Sequence, residues 1–351
     1  MYISIIGKAG SGKTTLFSAL SGIAIPTSGG SHGIASIDVP DERLDYLTSV
    51  FNPRKTIKAR VELSDTVAID EGDLKNETIN QKSLQQLRSS DAFLLVLHNF
   101  NNGENVCILA DFSTIYAEFI LSDMAQIESR LERMEKQSGK KDNTSFQQEK
   151  ALLEQCLTHL NNEQPLSLLS LPEADDKRVK GFQFLSRKPM MLAINCTEKE
   201  LESAETITSD LQSQLPDNIP VLAVCAKLEA ELALMSPEEQ AIFMDEYGIK
   251  ETIRGRIIHL AVDTLGLISF LTVGDDECRA WPIKKGMSAQ DAAGTIHTDL
   301  SNKFIRAETV SYEAFVEHGG FAGCKKSGLW RLEGKTYVVQ DGDILTIRAG
   351  N

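Results

Sequence analysis

Positive charge is in short supply in this 351-residue sequence: 36 Lys and Arg stand against 50 Asp and Glu, for a formal net charge of −14. So acidic a chain repels polyanions, which disfavours DNA and non-specific RNA binding while leaving room for a local basic face on RNA. Apolar runs of membrane-spanning length are missing, as is a charged start followed by an apolar signal core; the expectation is a cytoplasmic protein with no membrane association. Cysteine pairs at zinc or redox spacing are missing too. Cys107, Cys156, Cys196, Cys225, Cys278 and Cys324 contain no Cys-x-x-Cys, which fits reduced thiols and no disulfide frame. No Gly-x-Ser-x-Gly marks an acyl-transfer nucleophile.

What is present begins at the first residues. Tyr2-Ile-Ser-Ile-Ile runs into Gly7-Lys8-Ala9-Gly10-Ser11-Gly12-Lys13-Thr14-Thr15, an apolar strand that turns through glycines into a helix. Gly-x4-Gly-Lys-Thr places Gly7 and Gly12 where the chain bends tightly, so that successive backbone N–H groups point at phosphate oxygens. The predicted cradle uses Gly7, Gly10, Ser11, Gly12, Lys13, Thr14 and Thr15. Lys13 would reach the β and γ phosphates, the Thr14 hydroxyl would hold Mg2+, and the helix would turn its positive end to the anion.

Further on, Ile25 to Gly33 has the composition of a mobile loop where a nucleotide switch would lie. Val39-Pro-Asp-Glu-Arg-Leu starts a helix with Leu44 and Leu47 inward. Ala59 to Asp65 reads as a strand ending in a carboxylate, and a strand-end Asp such as Asp65 beside a phosphate loop is the usual partner of Mg2+, directly or through a water. Ala92-Phe-Leu-Leu-Val-Leu-His98 has the continuous apolarity of a strand buried on both faces of a parallel sheet. Ile120, Met124, Ile127, Leu131 and Met134 draw one apolar stripe and Phe146, Leu153, Cys156 and Leu160 a second, with a polar break at 137–144; the pattern predicts an antiparallel coiled-coil hairpin. The sheet resumes at Lys188–Asn195 and Ile219–Cys225. Glu229–Glu246 is expected as helix, with Leu228, Leu232, Leu234 and Phe243 in the core. From about Leu265 short strands at 267–273, 336–340 and 344–348 suggest a small α+β module.

The two later strands end in candidate base-reading loops. Asn195-Cys196-Thr197-Glu198 lies where GTPases carry Asn-Lys-x-Asp, whose Asp pairs with two donors on the guanine edge. Glu198 in place of that Asp and Cys196 in place of the Lys weaken the guanine fit, whereas Asn195 can both donate to and accept from adenine. Cys225-Ala226-Lys227 is similar to the Ser-Ala-Lys loop that closes over a base.

With these motifs assembled, the chain resembles the YchF family, the Obg-like ATPases among the TRAFAC-class P-loop NTPases, over essentially its whole length. The resemblance rests on the phosphate loop, Val39–Leu44, the inserted hairpin, Asn195-x-x-Glu198 and Cys225-Ala-Lys-Leu-Glu-Ala-Glu-Leu. It rests also on a C-terminal segment with Arg279-Ala-Trp, Ile296-His-Thr-Asp-Leu, Phe304-Ile-Arg-Ala, Gly328–Lys335 and Val339-Gln-Asp-Gly-Asp. It implies an α/β P-loop NTPase fold, a mostly parallel sheet with flanking helices, with a C-terminal TGS-like β-grasp module. The implied domains are 1–118 and 187–266 for nucleotide binding, 119–186 for the hairpin and 267–351 for the TGS-like part. It further implies Mg2+ and ATP as ligands, GTP as a weaker one, slow hydrolysis with Lys13 and Asp65 at the chemistry, and association with ribosomes or RNA through the helical arm and TGS-like module.

Two departures from that family bear on turnover. Asp65-Thr66-Val67-Ala68 stands where the family carries Asp-x-x-Gly, whose glycine lets a backbone N–H swing onto the γ-phosphate. In the first switch, Gly29-Gly30-Ser31-His32 replaces a segment whose Thr reaches Mg2+, leaving Thr27 or Ser31 as substitutes. Ile69 stands where a water-orienting Gln would be, in keeping with slow hydrolysis. The histidines, His32, His98, His159, His259, His297 and His318, do not fall at metal-ligand spacings, so no metal beyond Mg2+ is expected. His297 with Asp299 reads as a structural hydrogen bond rather than a functional pair. Arg254, Arg256, Lys284 and Lys285 form either an RNA patch or ordinary solvated charge.

Overall fold

The computed structural model describes residues 1–23, 33–66, 68–74, 78–98, 105–137, 144–246 and 251–350. Thr27, the Gly29–His32 stretch of the first switch, Val67 and the polar break at 138–143 lie outside the described residues. The strands in chain order are β1 (Tyr2–Ile6), β2 (Ile34–Asp38), β3 (Lys55–Ile57), β4 (Arg60–Asp65), β5 (Ala92–His98), β6 (Met190–Asn195) and β7 (Val221–Val224). They continue with β8 (Leu267–Thr272), β9 (Glu277–Lys284), β10 (Phe304–Ser311), β11 (Arg331–Glu333) and β12 (Asp343–Ala349). Five helices matter most: α1 (Lys13–Ser21), α2 (Glu42–Phe51), α3 (Gln81–Ser89), α4 (Asn105–Gln137) and α5 (Thr144–Asn161). The chain falls into two compact units, residues 1–36 with 62–254 and residues 37–61 with 255–351. The segment 37–61, which precedes most of the first sheet in sequence, thus groups with the C-terminal residues.

The first unit is built on a sheet of order β2-β4-β1-β5-β6-β7. β1 pairs in parallel with β4 and β5, and β6 in parallel with β5 and β7. β6 is buried throughout and β5 at all but His98, as the unbroken apolar runs require of inner strands covered on both faces. Phe93, Leu95, Leu97, Leu192 and Ile194 pack with Ile108, Phe112, Ile115 and Phe119 of α4; each such side chain removed from water contributes roughly 1.5–3 kcal/mol.

α4 runs on, without a break, from that core into the hairpin. Its distal face carries Ile120, Ile127 and Met134, which pack with Leu153, Cys156 and Leu160 of α5 and are closed over by Leu166, Val179 and Phe184. Arg130 and Glu149 join the two helices at 2.6 Å. One continuous helix therefore belongs to the sheet's core and to the arm, and starts fifteen residues before the apolar stripe that reveals the arm in the sequence.

In the second unit the sheet order is β11-β10-β12-β8-β9-β3. Alternating residues feed two cores. Leu271 and Ile344 face Leu44, Leu47, Phe315 and Cys324, while Phe270 and Leu345 face Ala289, Ala292 and Ala293 on the other side. Val39–Leu44 finds its purpose here. Asp41 caps α2 by accepting from Arg43 N at 3.0 Å, and the Arg43 guanidinium bridges Asp41 (2.9 Å) and Asp341 (2.8 Å).

Three expectations are corrected. Residues 336–340 form no strand, only an isolated bridge between Val338 and Ser288, because Gln340 and Tyr337 turn their groups onto Asp343 instead. The helix expected over Glu229–Glu246 is two, Ala226–Leu232 and Pro237–Glu246, since Pro237 lacks the N–H needed inside a helix and starts a new one. Leu234 lies in that break and is exposed.

Candidate functional site

The parallel register brings the strand ends together. Ile5 is opposite Asp65, His98 opposite Asn195, and Asn195 opposite Val224. The loop after β1, Asp65 at the end of β4, Asn195 and the loop after β7 therefore share one edge of the sheet, the carboxyl edge, where ligands bind in open α/β folds.

The loop itself has a left-handed backbone where the pattern demands glycine: φ is 77° at Gly10 and 95° at Gly12, which directly precedes α1. Gly7 is needed for closeness as well, since a Cβ there would meet Val96 O at 2.4 Å. Lys13 is buried and curls over the loop, donating to Gly7 O at 3.0 Å and Lys8 O at 2.8 Å. Burial pulls its pKa down, and the charges of Asp65 and Asp70 hold it up. Thr14 Oγ1 donates to Asp65 Oδ2 at 2.9 Å. Asp65 Oδ1 is buried with no partner among the described residues, as is Ser11 Oγ. An orphaned carboxylate oxygen next to a hydroxyl is a donor set suited to a hard divalent cation that keeps waters and takes its other ligands from phosphate. Thr15 is half-buried inside α1.

Asn195 is the hinge pin between the two loops. Its Nδ2 donates to Ser11 O at 3.0 Å and its Oδ1 accepts from Ala226 N at 3.1 Å. Across the same opening, Lys227 and Glu198 approach to 3.8 Å, both exposed. The loop 195–198 is held by a capping box of Thr197 and Glu200. Cys196 and Cys225 differ from these. Both are buried, and Cys196 sits in the sheet's apolar cluster with its thiol pushed up to about 12 by burial. They offer the opening backbone, not side chains. Past Asp65, Thr66 Oγ1 donates to Ile5 O, Ile69 N donates to Gly7 O at 3.1 Å, and Ile69 is fully buried. Gly72 N and Leu74 N then donate to the buried Glu118 of α4 at 2.7 and 2.9 Å, and Lys8 pairs with Asp111 of α4 at 2.6 Å. These ties to α4 were not legible in the sequence, because neither acid belongs to a motif. His297 accepts from Asp299 N as the cap of a short helix. Among the described residues no cluster of three or more His, Cys, Asp or Glu forms a metal site.

Comparison with known proteins points one way. The YchF-GTPase_C family model, described as "Protein of unknown function (DUF933)", matches residues 267–350. The chain is 35% identical to the "Ribosome-binding ATPase YchF" of Bacillus subtilis (strain 168), covering 98% of each chain. It is 32% identical to the protein of the same name from Escherichia coli O157:H7, covering 97% of each. Among solved structures, the Schizosaccharomyces pombe YchF GTPase superposes with a TM-score of 0.81 at 23% identity, over 99% of this chain and 97% of that one. That likeness shows the fold, an α/β P-loop NTPase with its further C-terminal part.

Proposed function

The chain belongs to the YchF family, and on that premise we propose that it binds ATP with Mg2+ at Gly7–Thr15, hydrolyses it slowly, and acts as a cytoplasmic, ribosome-associated regulator. GTP is the weaker ligand in this reading. The observation that carries it is the convergence of the phosphate loop, Asp65, Asn195–Glu198 and Cys225–Lys227 on one sheet edge, tied together by the two hydrogen bonds of Asn195.

In this reading the Lys13 ammonium exchanges the carbonyls of Gly7 and Lys8 for phosphate oxygens, and the loop's N–H groups take the rest of that charge. Thr14 and the free oxygen of Asp65 hold Mg2+, which supplies charge neutralisation on the phosphates when bound. Asn195 fixes the floor of the base opening by holding Ser11 and Ala226 in place. At the position where a Gln would orient the water stands Ile69, which is buried, so hydrolysis is slow. Ribosome engagement runs through the helical arm and the C-terminal unit; DNA and membranes are not partners. Among the described residues no helix is long and apolar enough to cross a membrane.

The reading is tested by calorimetry with ATP and GTP side by side on the full chain and on Lys13→Ala, together with cosedimentation with ribosomes. ATP binding that is tighter than GTP and lost in Lys13→Ala is expected; tighter GTP removes the adenine assignment. A second reading, a nucleotide-binding scaffold without turnover, is favoured by Ala68 and by the bond from Ile69 N to Gly7 O. Single-turnover hydrolysis that disappears in Lys13→Ala would eliminate it.

A further inference from the structure

A cavity of about 660 Å3 opens between α3 and α4 in the first unit, and none of its residues belongs to the phosphate-loop site. Its floor is small because one face of α4 presents Ser122, Ala125 and Ser129. Leu84 and Phe182 give it apolar walls, and Arg88, Arg130 and Arg133 stand around it. In a chain of net charge −14, three guanidinium groups gather here, and no Asp or Glu is among the residues lining the cavity.

The charges are only partly answered. Arg88 is half-buried, donates to Ser122 Oγ at 3.2 Å and has no ion pair among the described residues. Asp123, the acid whose field reaches it, is spent on Leu185 N and Ser186 N, each at 2.8 Å. Arg130 is shared with Glu149, and Arg133 has no ion pair among the described residues. Taken alone, Arg133 would be a solvated helix charge. Arg88 beside it differs, being half-buried and, among the described residues, without an acid in an ion pair to answer its charge. Gln126, on the same lining, donates its Nε2 to Phe182 O at 2.9 Å and so ties α4 to that wall.

We propose that this cavity is a second ligand site, for a small phosphorylated molecule of the mononucleotide class. The guanidinium forks of Arg88 and Arg133 take the phosphate. The ring system lies against Leu84 and Phe182. The volume suits such a ligand, being within the roughly 300–1,000 Å3 of small-molecule pockets.

Calorimetry with adenosine 3′,5′-bisphosphate on the full chain tests this, with inorganic phosphate as the comparison probe. Binding retained within about twofold in Lys13→Ala, and weakened about tenfold or more in Arg88→Ala/Arg133→Ala, is expected, each charged hydrogen bond being worth about that factor. Ser129→Trp, which fills the floor, should abolish it at unchanged thermal stability. Should the Arg88 variant misfold, the exposed Arg133→Gln and Ser129→Trp decide. The site is overturned by absence of binding at millimolar probe, by binding that survives both of those variants, or by binding lost in Lys13→Ala alone. The last outcome would put the probe in the phosphate loop. Inorganic phosphate binding as tightly as the bisphosphate would remove the ring's part in the proposal.

Discussion

Gly12 and Asn195 lie so close that a Cβ on the glycine would stand 2.1 Å from the asparagine's Nδ2. That nitrogen is held by Ser11 O, and the other end of the amide by Ala226 N. The loop at 7–14 and the loops that follow β6 and β7 are therefore one mechanical piece, and the glycine's lack of a side chain is what lets them meet.

Gly12→Ala should break that piece. The new methyl cannot be accommodated by a flexible neighbour, because Asn195 is pinned at both ends, and φ of 95° is strained for alanine. ATP affinity is expected to fall by about ten- to a hundredfold, the equivalent of 1–3 kcal/mol of strain, as measured by calorimetry. Gly10→Ala is the informative control. It has positive φ but nothing within 4 Å of its Cβ, so its loss should be smaller; equal losses would show that closeness to Asn195 is irrelevant.

Asp65→Asn should uncouple binding from magnesium. The buried Oδ1 has no hydrogen-bond partner among the described residues, and an amide oxygen holds a hard cation less well than a carboxylate. The ratio of ATP affinity with Mg2+ to that with EDTA should drop toward one, from about tenfold or more in the parent. A ratio unchanged by the substitution would place the metal elsewhere.

The sequence exposes the phosphate loop, Asp65 and Asn195 because their chemistry needs particular residues at fixed spacing, and glycine with φ of 95° advertises itself. Other parts leave no such mark. Asp111 and Glu118, which tie Lys8 and the segment after Asp65 to α4, look like any acids on a polar helix face. Cys196 occupies a base-loop position in the sequence, yet its side chain turns into the core, because facing direction along a strand end depends on register rather than on residue type. The meeting of Arg43 with Asp341 spans nearly three hundred positions, and periodicity carries no information over that distance.

Asp123 gives the protein a pH signature. It is fully buried, and burial raises its pKa from 3.8 to about 6 despite hydrogen bonds from Ser186 and Leu185. A carboxyl whose folded pKa lies above its unfolded one adds stability that is complete below 3.8 and lost as pH rises through about 6. Asp123→Asn removes this dependence, though it costs stability at every pH because its NH2 faces a backbone donor. The stability difference between parent and variant should therefore shrink by up to about 3 kcal/mol from about pH 4 to about pH 7. Chemical denaturation at several pH values measures it, and a flat difference would refute the raised pKa.

Glu198→Asp should move base preference toward guanine. The Glu198 carboxylate lies at the rim of the opening, near Lys227 at 3.8 Å, and reaches one methylene further than the aspartate with which GTPases hold both guanine donors. Shortening it restores that geometry, and the GTP-to-ATP affinity ratio should rise about tenfold, the scale of one methylene or one charged hydrogen bond in a site. Stability should change by less than about 1 kcal/mol, because both partners of the exposed ion pair are solvated. Cys196→Lys, the other change toward the GTPase pattern, should act on the opposite quantity. An ammonium at this buried position is desolvated among Leu192, Ile194 and Ala223, which costs several kcal/mol of stability and leaves the base without a new contact. A double substitution that shifts the ratio no further than Glu198→Asp, while unfolding more easily, would separate the residue that reads the base from the one that only fills the core beneath it.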